Sequence, residues 1–179
     1  MGDIADAMKA RNGPAVYAYD KSIEPKKKAG VGDKLQYLLA REFEAQRQYE
    51  GHYRLLKLWG YGKLADSIQE RWGDEQTHAK ELEKRMLALG IYPKYDPKLN
   101  INCGYNVPDI LKNDLAAEVK AIEDQNEAIS ELRDKKDDTS RRVVEHMLKD
   151  EEDHATEIRA ELEQIAQMGL DNYLSTIRS

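Results

Sequence analysis

Two short segments set a carboxylate three positions ahead of an imidazole: Glu75-Gln76-Thr77-His78 and Glu151-Glu152-Asp153-His154. Residues i and i+3 share one face of a helix, so each pair can grip a single object. Neither pair sits on a polar face. Glu75 falls between Trp72 and Ala79, and Glu151 between Met147 and Ala155, on stripes whose helical spacing should face a core. Two further glutamates break apolar stripes in the same way: Glu42 between Leu38/Leu39 and Ala45/Tyr49, and Glu118 between Leu115 and Ile122. Glu42 and Glu75 are 33 residues apart, and so are Glu118 and Glu151. Two helical hairpins of equal geometry would bring four carboxylates and two imidazoles to one level, related by a local two-fold axis.

Energetics say what such a cluster must hold. An unpaired ionised carboxylate in a core costs several kcal/mol even after relaxation, and four together also repel. No Lys or Arg shares these stripes. Two divalent cations would balance four carboxylates, and two neutral imidazoles would complete the shells. Oxygen-rich ligation with one imidazole per metal suits iron or manganese better than metals that prefer soft ligands. Cys103, the one thiol, lies outside the stripes. A single Glu-x-x-His on a charged helix is usually a solvated pair; the duplication and the matched spacing favour ligation here.

Other polar residues read more plainly. His52 and His146 lack such partners and are expected at the surface. Tyr49, seven residues after Glu42, reads first as a core aromatic, and otherwise as a hydrogen-bonding or redox-active residue beside the metals. Gln125, seven residues after Glu118, reads as a donor to the ligands or as a tolerated polar residue near a bundle end.

Four long helical patterns must position these side chains. They run from about Asp33 to Gly60, Lys63 to Leu89, Pro108 to the polar turn at 134–140, and Thr139 to Gln167. Asp33 is a candidate cap for the first, and Pro108 suits a first turn. The segment 90–108, rich in Pro, Gly and Asn, has no period of its own and reads as a long connection. Short, long and short connections predict an all-α fold: a four-helix bundle with one crossover. The tail LDNYLSTIRS predicts a short fifth helix. Residues 1–32, with a possible helical turn at IADAMKA, form an N-terminal extension to a domain at 33–179.

Composition excludes several classes. The 179 residues are 35% charged and 40% hydrophobic, enough for one domain that buries roughly two-thirds of its unfolded surface. No apolar run approaches the roughly 20 residues of a membrane span. The start, MGDIADAMKARNG, is too polar for a secretory signal, and one cysteine permits no internal disulfide, so a reducing cytoplasm is expected. The net charge of −6 argues against nucleic-acid binding; Lys26-Lys27-Lys28, the one basic block, reads as a solvated linker.

Beyond the ligands, QYEGHYRLLKLWG (48–60), DEQTHA (74–79), DLAAEV (114–119) and DEEDHATEIRAELEQIAQMGLDNYL (150–174) resemble bacterioferritins, members of the ferritin-like superfamily. Di-iron carboxylate bundles are a known case of this ligand set. The likeness spans about 33–177. It implies a ferritin-like bundle with Glu75 and Glu151 as bridging ligands. Glu42, Glu118, His78 and His154 would be terminal ligands, with Tyr49 near the centre. It implies ferroxidase activity on ferrous iron with O2 or H2O2, and a ferric mineral stored in a cage of twenty-four subunits. Bacterioferritins bind haem through a methionine directly after the bridging glutamate of the second helix; Gln76 stands there, so haem is not expected without a partner subunit that supplies it. Of the family's inner-surface iron site, Asp74 is kept, while Glu70 replaces a histidine. The long N-terminal extension is not typical of the family. Rival functions are a rubrerythrin-like di-iron peroxidase, a manganese catalase, a twelve-subunit Dps-like protective cage, and a metal-free helical interaction module.

Overall fold

The computed structural model describes residues 29–95 and 98–178. The expected extension, including IADAMKA and Lys26 to Lys28, lies up to residue 28 outside the described residues. Among the described residues five helices follow in order: α1 Val31–Trp59, α2 Gly62–Ala88, α3 Val107–Asp134, α4 Asp138–Met168 and α5 Leu170–Thr176. The all-α fold with one crossover and a short fifth helix is as the sequence predicts, with boundaries within about two residues at most ends.

Local chemistry sets the ends. Asn106 accepts the Asp109 N–H at 2.9 Å, and Pro108 occupies the first turn of α3. Asp137 caps α4 by accepting the Ser140 N–H at 3.3 Å. Gly60 ends α1 at φ 81°, a left-handed turn that glycine adopts without steric cost. The expected cap at Asp33 is not formed. The N-cap is Gly30, and Asp33 lies in the first turn, where its charge faces the positive end of the helix dipole.

α1 packs on α2 and α3 on α4, while α1 also meets α3 and α2 meets α4. The crossover climbs alongside α1. Lys94 bonds Gln36, the Asn100 N–H reaches Glu44, and the Asn102 N–H reaches Gln48. It delivers α3 to the far end of α1, antiparallel to it, so that Gln48 of α1 meets Asp114 of α3.

The apolar core comes in two parts. One holds Leu35, Leu39, Leu82, Met86, Leu132 and Met147. The other holds Tyr49, Leu56, Ile68, Leu111, Ile158 and Tyr173. The layer between them is polar.

Candidate metal centre

That polar layer is built by the six residues that interrupt the stripes. α1 supplies Glu42, α2 Glu75 and His78, α3 Glu118, and α4 Glu151 and His154, all buried. They form two groups, Glu42/Glu75/His78/Glu151 and Glu75/Glu118/Glu151/His154, in each of which the ligand atoms lie within 4.8 Å of one another. Glu75 and Glu151 belong to both groups.

The geometry nearly repeats between the halves. His78 Nδ1 lies 3.5 Å from Glu42 Oε2, 3.5 Å from Glu75 Oε2 and 3.3 Å from Glu151 Oε1. His154 Nδ1 lies 3.5 Å from Glu118 Oε1, 3.4 Å from Glu151 Oε2 and 4.0 Å from Glu75 Oε1. The outer ring nitrogens make crossed contacts: His78 Nε2 to Asp150 Oδ2 and His154 Nε2 to Asp74 Oδ2, each at 3.2 Å. A carboxylate behind Nε2 orients the ring and turns Nδ1 inward. Both Nδ1 atoms, with Glu42 Oε2 and Glu151 Oε2, are buried without hydrogen-bond partners. Buried polar atoms are rarely left so, and two cations would satisfy all four. The donor set therefore fits two metal ions.

Without cations the cluster holds protons. Burial pushes the Glu118 carboxyl up to about 8, and the charges on Glu75 and Glu151 add to it. Burial also raises Glu42 and, more strongly, Glu75, where the Glu151 and Glu42 carboxylates push the same way. Burial favours neutral His154, but the Glu118 and Glu151 carboxylates beside it overcome that and carry the ring up to about 11. His78 is raised against burial by Glu151, Glu42 and Glu75. Glu151 alone goes down, to about 2: burial opposes ionisation, but the His154 and His78 imidazoles beside it outweigh that. A divalent cation would replace these protons.

Tyr49 and Gln125 both reach the cluster. The Tyr49 hydroxyl donates to Glu118 Oε1, and Gln125 Nε2 donates to Glu151 Oε1 at 2.9 Å. Tyr49 is also part of the apolar core, so its two readings are compatible. A cavity of about 310 Å³ between α1 and α3 reaches Glu42, Glu75 and Glu118 from outside, past Asn100, Asn102, Arg41 and Lys120.

His52 departs from expectation. It is fully buried, not at the surface, with Nδ1 2.9 Å from Asp114 Oδ1 and Nε2 accepting the Gly104 N–H at 2.9 Å. Gln48 donates to the same Asp114 oxygen at 2.9 Å. Gly104 must be glycine, because a Cβ there would collide with the Asp109 and Ile110 backbone. The signal was available: His52 lies three residues after Tyr49 and four before Leu56, on the stripe itself. Asp114 likewise follows Leu111 by three. His146 is exposed, as expected, with Glu81 at 3.4 Å. Glu70 is exposed, and Asp74 is occupied with His154.

Gln76 is half-buried in an open groove of about 350 Å³ lined by Phe43, Gln46, Arg47, Glu50, Trp72, Tyr95 and Leu99. None of these side chains is a thioether, imidazole or thiolate, the axial ligands that haem iron takes most often.

A bundle whose core is cut by two carboxylate–histidine groups is one that could hold two metal ions between its helices. Residues 32–168 match the ferritin family, described as a ferritin-like domain. A bacterial ferritin of Pseudomonas aeruginosa is 36% identical over 147 residues, covering 82% of this chain and 95% of its own. One from Synechocystis is 36% identical over 152 residues, 84% of this chain and 97% of its own. A bacterioferritin of Streptomyces coelicolor is 34% identical over 139 residues, 78% and 83% of the two chains. The chain belongs to the ferritin family.

Proposed function

We propose that this chain stores and detoxifies iron, oxidising ferrous ions with O2 or H2O2 at the six-residue centre and holding the ferric product inside a cage of twenty-four copies in the cytoplasm. The observation that carries this is the pair of ligand groups sharing Glu75 and Glu151, with both histidine Nδ1 atoms turned inward and unpartnered. Its family relatives are named ferritins, and no described helix is long and apolar enough to cross a membrane.

Ferrous iron is the substrate. Each of two ions gives one electron to a shared oxidant, and the chain holds them side by side while this happens. Glu75 and Glu151 reach both ions; Glu42 with His78, and Glu118 with His154, complete one position each. Asp150 and Asp74 keep the imidazoles aimed. Four carboxylates offset the charge that grows as ferrous becomes ferric, in a buried site that the α1/α3 cavity reaches from outside. Tyr49 holds Glu118 through its hydroxyl and can supply a proton to the reduced oxidant. We propose that the cage carries no haem of its own, because Gln76 and its groove offer no axial ligand of the usual kinds.

Stopped-flow oxidation after anaerobic loading tests the proposal: a fast phase should saturate at two ferrous ions per chain. Comparing O2 with H2O2, and iron with manganese, separates a ferroxidase from a peroxidase or a manganese catalase. Turnover of H2O2 with manganese but no ferrous oxidation would overturn it.

A further inference from the structure

The two halves of the centre match in ligand type and spacing, but not in what stands behind them. Seven residues after Glu42 is Tyr49; seven residues after Glu118 is Gln125. Tyr49 donates to Glu118, which belongs only to the His154 position. Gln125 instead donates to Glu151, which belongs to both. The oxygen it holds, Oε1, is the one facing His78 at 3.3 Å. Glu151 Oε2 faces His154 and accepts no hydrogen bond.

Gln125 is itself costly to keep. It is 1% exposed, and its own Oε1 is buried without a partner. A leucine of similar size would fill the space without that unpaired acceptor, whose burial costs about 1–3 kcal/mol. The amide therefore needs a reason to be there.

We propose that Gln125 is a positioning residue that fixes Glu151 astride the two metal positions and so secures the ion beside His78. The inference rests on the metal-centre reading above. A carboxylate oxygen has two lone pairs. Gln125 takes one on Oε1 and leaves the other for the ion at the His78 position. The terminal torsion of a glutamate is soft. Without the amide, Glu151 can turn both oxygens toward the His154 position, and the His78 position loses a ligand. Tyr49 gives no compensation, because its bond is to Glu118.

Anaerobic titration of the full-length chain with Co(II), followed by visible ligand-field bands, tests this. His78→Ala and His154→Ala supply the band pattern of each position alone. The wild type should bind two Co(II) per chain. Gln125→Leu and Gln125→Met, the latter keeping the length of the side chain, should bind one ion with wild-type affinity and the bands of the His154 position. The second ion should bind about 10-fold more weakly or worse, the usual loss when a residue behind a ligand is removed. Wild-type affinities at both positions in either variant, or equal loss from both, would overturn the inference alone. A wild type that fails to take up two ions overturns the metal-centre reading as well.

Discussion

A carboxylate that reaches both metal positions differs in its consequences from one that reaches a single position. Removing Glu75 or Glu151 disturbs both ions at once. Glu75→Ala or Glu151→Ala should therefore abolish the fast phase of ferrous oxidation while leaving the helices folded and the assembly intact. Stopped-flow absorbance and gel filtration read the two effects, and a near-normal fast phase in either variant refutes the assignment. Protons compete for the same atoms. Glu118, held up to about 8, and His154, held up to about 11, must each give up a proton to bind metal. Binding that releases protons strengthens as pH rises. The affinity for Zn(II) or Co(II) should increase steadily from pH 6 to pH 8 by calorimetric titration, and a flat profile would contradict the proton-filled cluster. At this scale the meeting of the six residues in one buried layer was legible in the sequence, because helical spacing alone put each glutamate on an apolar stripe and each histidine one turn further on. The crossed partners Asp74 and Asp150 were not. Each serves a histidine on the opposite hairpin, and nothing in one helix's period records that.

Between residue and molecule lies the crossover, which has no repeating pattern yet is fixed firmly to α1. Its anchor is the buried set His52, Gln48, Asp114 and the Gly104 N–H. His52→Leu removes two of these bonds and leaves Asp114 with Gln48 alone. The expected loss is roughly 1–3 kcal/mol of stability, the cost of buried groups left short of partners. Denaturant melting measures it, and limited proteolysis should find new cleavage between residues 98 and 106. Unchanged stability would mean that the network contributes nothing net. The helices and their hairpin pairing could be read from period and loop length. The path of the crossover could not, because its backbone bonds go to side chains of α1 rather than to a ladder of its own. His52 was misplaced at the surface although the α1 stripe marked it as buried; what the helical period could not give is its partners, Asp114 and Gly104, 62 and 52 residues away.

On the scale of the whole molecule, the polar layer that divides the core makes stability depend on metal and pH together. Glu118 rises from 4.5 to about 8 on folding, so its contribution is full below 4.5 and is lost as pH climbs toward 8. His154 rises from 6.5 to about 11, so its contribution is also lost as pH increases. Glu151, lowered from 4.5 to about 2, works the opposite way: its contribution is full above 4.5 and is lost only as pH falls toward 2. The metal-free protein should therefore melt at lower temperature at pH 8 than at pH 6.5. Metal binds the folded state, and more tightly at high pH, so the rise in Tm on adding Zn(II) should be larger at pH 8. Scanning calorimetry decides it; a Zn(II) shift that shrinks with pH contradicts the account. The assembly should also purify without haem. A Soret band near one haem per two chains, in protein made with adequate haem supply, would show that the Gln76 groove binds haem after all.

If the four helices hold two metal ions between them, anomalous diffraction from crystals soaked anaerobically with ferrous iron will reveal both. Two peaks are expected in each bundle, about 3.5–4 Å apart, one beside His78 and one beside His154, with Glu75 and Glu151 touching both. A single peak, or iron found only on the exposed acids outside the bundle, would contradict the two-ion centre.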